Sequence, residues 1–305
     1  MTTMGARVAA LMLAATLADL ALVGCAKDNA GTAARPTAAH SPGQSGATSS
    51  PSAWRKPRHP RAAAVIGDST AAGAGLPPLA HPSPADHACG RSADAYAADL
   101  NPGGRWRARN YACAGATIET GLLGPQQASG VVLPAQVTEA GRQHRLAAVI
   151  VSVGADDLGW SGLVLECALH PHCGGSAAAS SFAGRLAAFR AVYPSLLRRL
   201  AALPGHPQVV INRYYDPFGP DRSCLGLTSA DVTTLTSWLN SLNAVLAAGA
   251  GQFGFVSPQP SFAGHQLCSA ESDVQWLGSP APLHPTASGE RAIARADLAA
   301  LARHR

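Results

Sequence analysis

Most of the chain lacks an excess of positive charge. From Ala62 to the C-terminus there are 16 arginines and 16 acidic residues, so this part carries no net charge. The formal net charge of +5 therefore belongs entirely to the first 61 residues. Because binding to a phosphate backbone depends on clustered Lys and Arg, this balance argues against nucleic acid as a partner.

The N-terminal apolar run is also too short to cross a membrane comfortably. Val8–Leu22 has 15 residues, whereas a spanning helix needs about 20. With Arg7 before it, the run is typical of an export signal. It ends in Leu-Val-Gly-Cys at Cys25, which resembles a bacterial lipoprotein signal, where the cysteine is lipidated and becomes the new N-terminus. The alternative is an ordinary cleaved signal with a chance cysteine.

The next segment lacks hydrophobic periodicity and is rich in Ala, Gly, Ser, Thr and Pro, which predicts a disordered tether. We therefore expect a lipoprotein-type signal peptide over residues 1–25, the tether over residues 26–61, and one folded domain over residues 62–305. Acyl chains on Cys25 would hold the exported domain on the outer face of the cytoplasmic membrane. This lipid anchor is the only membrane contact that we expect.

The cysteines do not suit a metal. No Cys-x-x-Cys occurs, and the spacings are poor for zinc. With Cys25 set aside, six cysteines remain, and an even number in an exported chain predicts disulfides. Many pairings are possible, and nearest-neighbour pairing is the simplest. It gives Cys89–Cys113, Cys167–Cys173 and Cys224–Cys268.

Strand-like and helix-like segments alternate along the domain, and no internal repeat occurs. The strands are predicted at Ala62–Ile66, Arg105–Tyr111, Ala147–Val153, Gln208–Asn212 and Gln252–Val256. The helices are predicted at Phe182–Leu203, Ala230–Ala248 with Ser229 as N-cap, and Ser288–Ala302. This alternation implies a parallel sheet with helices on both faces, and such sheets bind ligands at the carboxyl ends of their strands. The segment Leu158–Ser181 is predicted to be a loop, which is either a specificity loop beside the substrate or part of the ordinary surface.

Four short motifs carry the candidate chemistry. They are Gly67-Asp68-Ser69, Ala114-Gly115-Ala116-Thr117, Gly154-Ala155-Asp156-Asp157 and His284-Pro285. A serine, a histidine and a group of oxyanion donors are what acyl transfer needs. Taken singly, each has a simpler explanation: Ser69 as a helix N-cap, Gly115 as a turn glycine, His284 as an exposed loop residue. His265 is a second candidate histidine.

Taken together, the order and the neighbours of these motifs closely resemble the SGNH (GDSL) hydrolase family of esterases and lipases. The resemblance spans most of residues 62–305 and extends to Cys89–Ser92, Leu133–Gln136 and Phe262–Cys268, which look like the secreted bacterial branch. It implies a three-layer α/β/α sandwich with a central parallel sheet of about five strands. It implies no metal and no organic cofactor.

The resemblance also implies a role for each motif. Ser69 would be the nucleophile and His284 the general base of a two-step acyl transfer through an acyl-enzyme. The backbone N–H groups of Ser69 and Gly115 match the oxyanion donors of the family.

Two positions depart from the family's pattern. Its third motif has Asn, whose side chain donates the third oxyanion hydrogen bond, where this chain has Asp156. An ionised carboxylate cannot donate, so we expect Asp156 either to be protonated or to turn toward a nearby hydroxyl or amide. The family often has Asp three residues before the histidine, where this chain has Ala281. The Ala281 carbonyl is then the expected partner of the imidazole, and Asp273 is a more distant candidate.

These features predict an exported, monomeric serine esterase that cleaves a small ester, an acylated wall glycan or a lipid. The alternative is a catalytically weakened domain that binds an envelope glycan or lipid. Asp156 and Ala281 motivate this alternative, whereas the presence of both Ser69 and His284 argues against it.

Overall fold

The computed structural model describes residues 59–175, 177–220 and 224–303. The predicted signal peptide over residues 1–25, and the predicted tether as far as residue 58, lie outside the described residues. The lipidation of Cys25 therefore stays a prediction. None of the described helices has both the length and the hydropathy that crossing a membrane requires.

The centre of the domain is a parallel sheet flanked by helices. The strands in chain order are β1 Arg61–Gly67, β2 Trp106–Asn110, β3 Gln126–Ala128, β4 Val131–Leu133, β5 Leu146–Ser152 and β6 Gln208–Ile211. Four of them form the sheet in the order β2-β1-β5-β6, and β3 and β4 form a separate antiparallel pair. The predicted α/β fold with a central parallel sheet is confirmed, with four strands rather than about five.

The helices account for most of the remaining regular structure. They are α1 Ser69–Ala72, α2 Pro84–Ala88, α3 Tyr96–Asp99, α4 Gln136–Gly141, α5 Ala155–Leu158, α6 Trp160–Leu169, α7 Ala177–Ala201, α8 Ser229–Gln252 and α9 Ala287–Arg303. The three predicted long helices correspond to α7, α8 and α9, with shifted ends. The N-cap of α8 is Thr228 rather than Ser229, because Thr228 Oγ1 accepts a hydrogen bond from the Asp231 N–H at 3.1 Å.

Strand β1 lies inside the sheet, paired in parallel with β2 on one side and with β5 on the other. Residues 62–67 of β1 are all buried, and β5 is buried at nearly every position. A continuous apolar run is typical of a parallel strand that is covered on both faces. The carboxyl ends of these two neighbouring strands place the Ser69 and Asp156 motifs at one edge of the sheet.

The predicted strand over Gln252–Val256 is wrong. Helix α8 continues to Gln252, and Gly254 then adopts a φ of +70°, which an extended strand cannot accommodate. Only Val256 pairs with the sheet, as an isolated parallel bridge to Val210. The sequence predicts a strand of five residues here, but only one of them pairs with the edge of the sheet.

The prediction of a loop over Leu158–Ser181 is also wrong. This segment contains α6, a 3-10 helix over Cys173–Gly175, and the first turn of α7. The Cys173 N–H donates to Asp231 Oδ1 at 2.8 Å, which ties the segment to α8. Most residues of α6 are apolar, unlike the polar composition expected of a loop.

All three disulfides of the nearest-neighbour pairing are present. They are Cys89–Cys113, Cys167–Cys173 and Cys224–Cys268. The first joins α2 to the segment that follows β2, and the second closes the turn after α6. The third joins the segment before α8 to the segment before α9, three residues after His265.

Gly67 ends β1 in a conformation that only glycine adopts easily. Its φ is +145°, and a Cβ at this position would lie 2.0 Å from the Ser152 carbonyl oxygen. The buried Gln136 side chain bonds to both backbone polar groups of Gly67. Its Oε1 accepts from the Gly67 N–H at 2.7 Å, and its Nε2 donates to the Gly67 carbonyl at 3.0 Å. The turn that leads to Ser69 is therefore fixed by both packing and hydrogen bonds.

We predict that Gly67→Ala destabilises the protein by about 3 kcal/mol or more, since backbone strain adds to overpacking against Ser152. Urea unfolding followed by circular dichroism measures the loss. Gly103→Ala is the matched control, because Gly103 also has a positive φ, +70°, but a Cβ there would meet nothing within 4 Å. Equal losses in the two variants would show that the close approach to Ser152 is unimportant.

Candidate active site

Ser69 and His284 lie in hydrogen-bond contact. Ser69 Oγ is 2.7 Å from His284 Nε2. Ser69 is the first residue of α1, and His284 lies in the loop that ends where α9 begins. The structure therefore brings these two predicted site residues together from opposite ends of the domain sequence.

The N-cap of α1 is Asp68, not Ser69. Asp68 Oδ1 accepts a hydrogen bond from the Thr70 N–H at 3.0 Å. Because the Asp68 carboxyl group already caps the helix, the Ser69 hydroxyl is available to face the imidazole. The simpler explanation, in which Ser69 is itself the helix cap, is wrong.

The imidazole of His284 is oriented by a backbone carbonyl. Its Nδ1 lies 3.1 Å from the Pro282 carbonyl oxygen. The Ala281 carbonyl, the predicted partner, accepts from the backbone N–H of His284 at 3.3 Å and also favours the protonated ring, after Pro282. With Nδ1–H donating to Pro282, Nε2 is the nitrogen that accepts from the Ser69 hydroxyl.

Asp273 supports the same loop through its backbone. Its carbonyl accepts from the Thr286 N–H at 2.8 Å, while the imidazole bonds to Pro282. Gln275, a residue that the sequence did not single out, adds two contacts. Its buried Nε2 donates to the Pro285 carbonyl at 2.8 Å and to the Ala74 carbonyl at 2.7 Å. These bonds join the histidine loop to the segment that follows α1.

Burial lowers the pKa of His284, and the carbonyls of Pro282 and Ala281 oppose this effect by favouring the protonated ring. The net direction favours a neutral imidazole. A neutral imidazole whose Nε2 faces a hydroxyl can take the proton of that hydroxyl. This pair can therefore generate a nucleophilic oxygen.

Asp156 lines the same pocket as Ser69 and His284. Its Oδ2 is buried without a hydrogen-bond partner among the described residues. Burial raises the pKa of Asp156 to about 6, and the backbone N–H of Gly115 opposes this rise. The carboxyl group thus lies between the pocket and Gly115, the residue predicted to supply an oxyanion donor.

A buried tyrosine joins the first and third motifs. The Tyr214 hydroxyl donates to Asp68 Oδ2 and accepts from the Ala155 N–H at 3.1 Å. Burial raises the pKa of Asp68 well above its usual range, and the nearby Asp156 charge adds to the rise. The hydrogen bonds from Tyr214 and Thr70 oppose it. Tyr214 gave no recognisable signal in the sequence, because it lies outside every motif.

Gly115 occupies an exposed turn with a φ of +77°, a conformation that glycine adopts without strain. Two side chains hold this turn. Asp157 Oδ1 accepts from the Ile118 N–H at 3.1 Å, and Gln126 Nε2 donates to the Ala114 carbonyl at 2.8 Å. Asp157 of the third motif is therefore bonded to the residue that follows the second motif.

His265, the second candidate histidine, has a different partner. Its ring is exposed, and Nδ1 lies 2.8 Å from the Glu271 carbonyl oxygen. His284, not His265, contacts Ser69. In the part of the chain that the structure describes, no group of His, Cys, Asp or Glu side chains is arranged to hold a metal ion.

Comparison with known proteins gives one family and a shared fold. The model of the GDSL-like Lipase/Acylhydrolase family matches residues 65–292. No curated protein sequence matches this chain significantly.

Two solved structures are similar over nearly the whole domain. The extracellular lipase from Streptomyces rimosus aligns with a TM-score of 0.62 and 24% identity, covering 80% of this chain and 100% of the lipase chain. Phospholipase A1 from Streptomyces albidoflavus NA297 aligns with a TM-score of 0.56 and 21% identity, covering 81% of this chain and 100% of its own. At these identities, the likeness establishes the fold.

We predict that the pKa of the His284 imidazole lies below its ordinary value of 6.5. Asp273→Asn should leave the midpoint of this titration unchanged, because the ring bonds to a neutral carbonyl. NMR of the imidazole signals across pH 4–9 measures the midpoint, and His284→Gln assigns the signal. A midpoint above 6.5 that falls in Asp273→Asn would instead reveal a carboxylate partner.

Proposed function

Since this chain belongs to the GDSL-like lipase and acylhydrolase family, we propose that it hydrolyses carboxylic esters with Ser69 as nucleophile and His284 as general base. The observation that carries this proposal is the 2.7 Å contact between Ser69 Oγ and His284 Nε2. The lowered pKa of His284 supports it, because only the neutral imidazole can accept the proton.

The first half of the reaction forms an acyl-enzyme. His284 Nε2 takes the Ser69 proton as Oγ attacks the ester carbonyl carbon, and a tetrahedral intermediate forms. The imidazolium is stabilised through its Nδ1–H by the Pro282 carbonyl. It then gives its proton to the departing alcohol oxygen as the carbon–oxygen bond of the ester breaks.

The second half repeats this chemistry with water. His284 takes a proton from the water, whose oxygen attacks the acyl carbon bonded to Ser69 Oγ. The proton returns to Oγ as the acid leaves, which restores the free enzyme. Every proton transfer thus passes through the one nitrogen that faces Ser69.

The backbone N–H groups of Ser69 and Gly115 stabilise the oxyanion in this proposal. Ser69 N–H belongs to the first turn of α1, where backbone donors have no partner within the helix. Asp156 supplies the third donor only while its carboxyl is protonated. When it ionises, it repels the developing negative charge and competes for the Gly115 N–H.

We also propose that the protein is exported and is anchored by a lipid on Cys25, acting as a monomer at the outer face of the cytoplasmic membrane. The three disulfides support an oxidising compartment. The Streptomyces rimosus lipase, described as extracellular, is consistent with export.

Treatment with globomycin, which blocks processing of lipoprotein signals, should leave the precursor uncleaved.

We predict that Ser69→Ala abolishes labelling by a fluorophosphonate and lowers kcat for p-nitrophenyl acetate by about 10³-fold or more, because the nucleophile is lost. Labelling is read on a gel and kcat by absorbance. Ser161→Ala is the matched control, since Ser161 lines the same pocket but His284 bonds to Ser69. An unlabelled wild type that still binds an acylated glycan would favour the binding alternative and contradict the esterase proposal.

We predict that Asp156→Asn raises kcat/KM at pH 8 by about 10-fold or more, because an amide donates at every pH and one oxyanion donor is typically worth ~10²–10³ in rate. In the wild type, activity should fall as pH rises past about 6, where Asp156 loses its proton. In Asp156→Asn this fall should disappear. A pH–rate profile of each variant checks both points.

Asp157→Asn is the matched control for this experiment. Burial also raises the pKa of Asp157 to about 6, but its Oδ1 faces the Ile118 N–H rather than the pocket. Asn at this position keeps a side-chain oxygen that accepts from the Ile118 N–H, so the pH–rate profile of Asp157→Asn should match that of the wild type. A tenfold loss of activity in Asp156→Asn at pH 8 would contradict the role given to Asp156.

A further inference from the structure

The pocket beside Ser69 and His284 is small and mostly apolar. Its volume is about 50 Å³. Besides the reactive pair and Asp156, its walls include an aromatic and aliphatic group, namely Trp160, Tyr215, Pro217, Leu239, Leu242 and Leu283. Walls of this kind favour the hydrocarbon part of a substrate over a charged group.

The volume limits what can enter. One water-sized group needs roughly 10–15 Å³ of cavity volume. The pocket of about 50 Å³ therefore holds roughly three to five non-hydrogen atoms. By this count an acetyl group fits, a butyryl group is at the upper limit, and an octanoyl group exceeds the space.

The helical wall of the pocket cannot easily move outward. Leu239 and Leu242 are 4% and 1% exposed, respectively, so both are part of the hydrophobic core. A Cβ at Gly154 would lie 3.0 Å from Leu242 Cδ1, which shows that this leucine already packs against the end of β5. Displacing either side chain would disturb close packing at a substantial cost in free energy.

The opposite wall is held by hydrogen bonding and stacking. The Tyr215 hydroxyl donates to the Leu283 carbonyl at 2.7 Å. The Tyr215 ring stacks on Phe262 with 4.2 Å between the ring centroids. This wall adjoins His284, so widening it would also displace the imidazole from Ser69.

We propose that this pocket is the acyl-binding site and that it selects acetyl esters. The inference rests on the proposed function, because the pocket receives an acyl group only if Ser69 is acylated. The alcohol part of the ester then lies outside the pocket, so the enzyme tolerates a large alcohol while it rejects a long acyl chain.

The experiment measures hydrolysis of p-nitrophenyl acetate, butyrate and octanoate by the full-length protein in detergent. Each ester is used at a concentration at which it stays monomeric. We expect kcat/KM to fall by at least 100-fold from acetate to octanoate. Leu239→Ala removes part of the wall, so the ratio of butyrate to acetate activity should rise by about 10-fold. Trp160→Ala, which removes a half-buried part of the pocket lining from α6, tests the effect of pocket volume with less risk to folding.

Leu235→Ala is the matched control. Leu235 is fully buried one turn before Leu239 on α8, but it does not line the pocket. Its truncation should lower stability without changing the ratio of butyrate to acetate activity. A change in this ratio equal to that of Leu239→Ala would show that loosened packing, not pocket volume, sets the selectivity.

The outcomes separate this inference from the proposed function. Fluorophosphonate labelling of Ser69 together with octanoate hydrolysis as fast as acetate hydrolysis would overturn acetyl selectivity and leave the esterase standing. No labelling and no hydrolysis of any ester would overturn both. Labelling with a steep fall from acetate to octanoate, relieved in Leu239→Ala or Trp160→Ala, is the result that we expect.

Discussion

The close approach of β1 and β5 at Gly67 decides where the site can form. Gly67 packs against the Ser152 carbonyl, and both of its backbone polar groups bond to Gln136. The chain must therefore turn at once, and Asp68 caps the short helix that follows. These constraints leave Ser69 at the carboxyl end of an inner strand, where the histidine loop can reach it. A different turn would separate the serine from the imidazole without changing any other element.

Burial, more than any single ion pair, sets the charge of this site. It raises the pKa values of Asp68, Asp156 and Asp157 and lowers that of His284. All four shifts favour neutral forms near the place where an oxyanion develops. The charge of Asp156 also raises the pKa of Asp68, since two negative charges in a poorly solvated region repel. An acidic cluster can therefore coexist with chemistry that produces negative charge, provided that the protons stay on the carboxyls.

Sequence patterns predicted the four parallel strands, the three long helices and the contact between Ser69 and His284. Apolar runs and motifs at strand ends are recognisable in a sequence without knowledge of the tertiary structure. They failed where the decisive group was backbone or lay outside a motif. Any residue offers a carbonyl, so nothing in the composition of the loop singled out Pro282 over Ala281. Tyr214 lies outside every motif, and Gln136, although it ends the Leu133–Gln136 block, acts through tertiary contacts that the sequence does not show. The strand predicted near Val256 failed because a helix end and a glycine turn outweighed its apolar residues.

The most direct test of the account is a crystal structure of the protein after reaction with a fluorophosphonate. We expect phosphorus bonded to Ser69 Oγ and a phosphoryl oxygen within hydrogen-bond distance of the Ser69 and Gly115 N–H groups. His284 Nε2 should lie beside Ser69 Oγ, with Nδ1 bonded to the Pro282 carbonyl. A phosphonate on another residue, or a Ser69 whose hydroxyl lies on a different face of the molecule from the imidazole, would contradict the account.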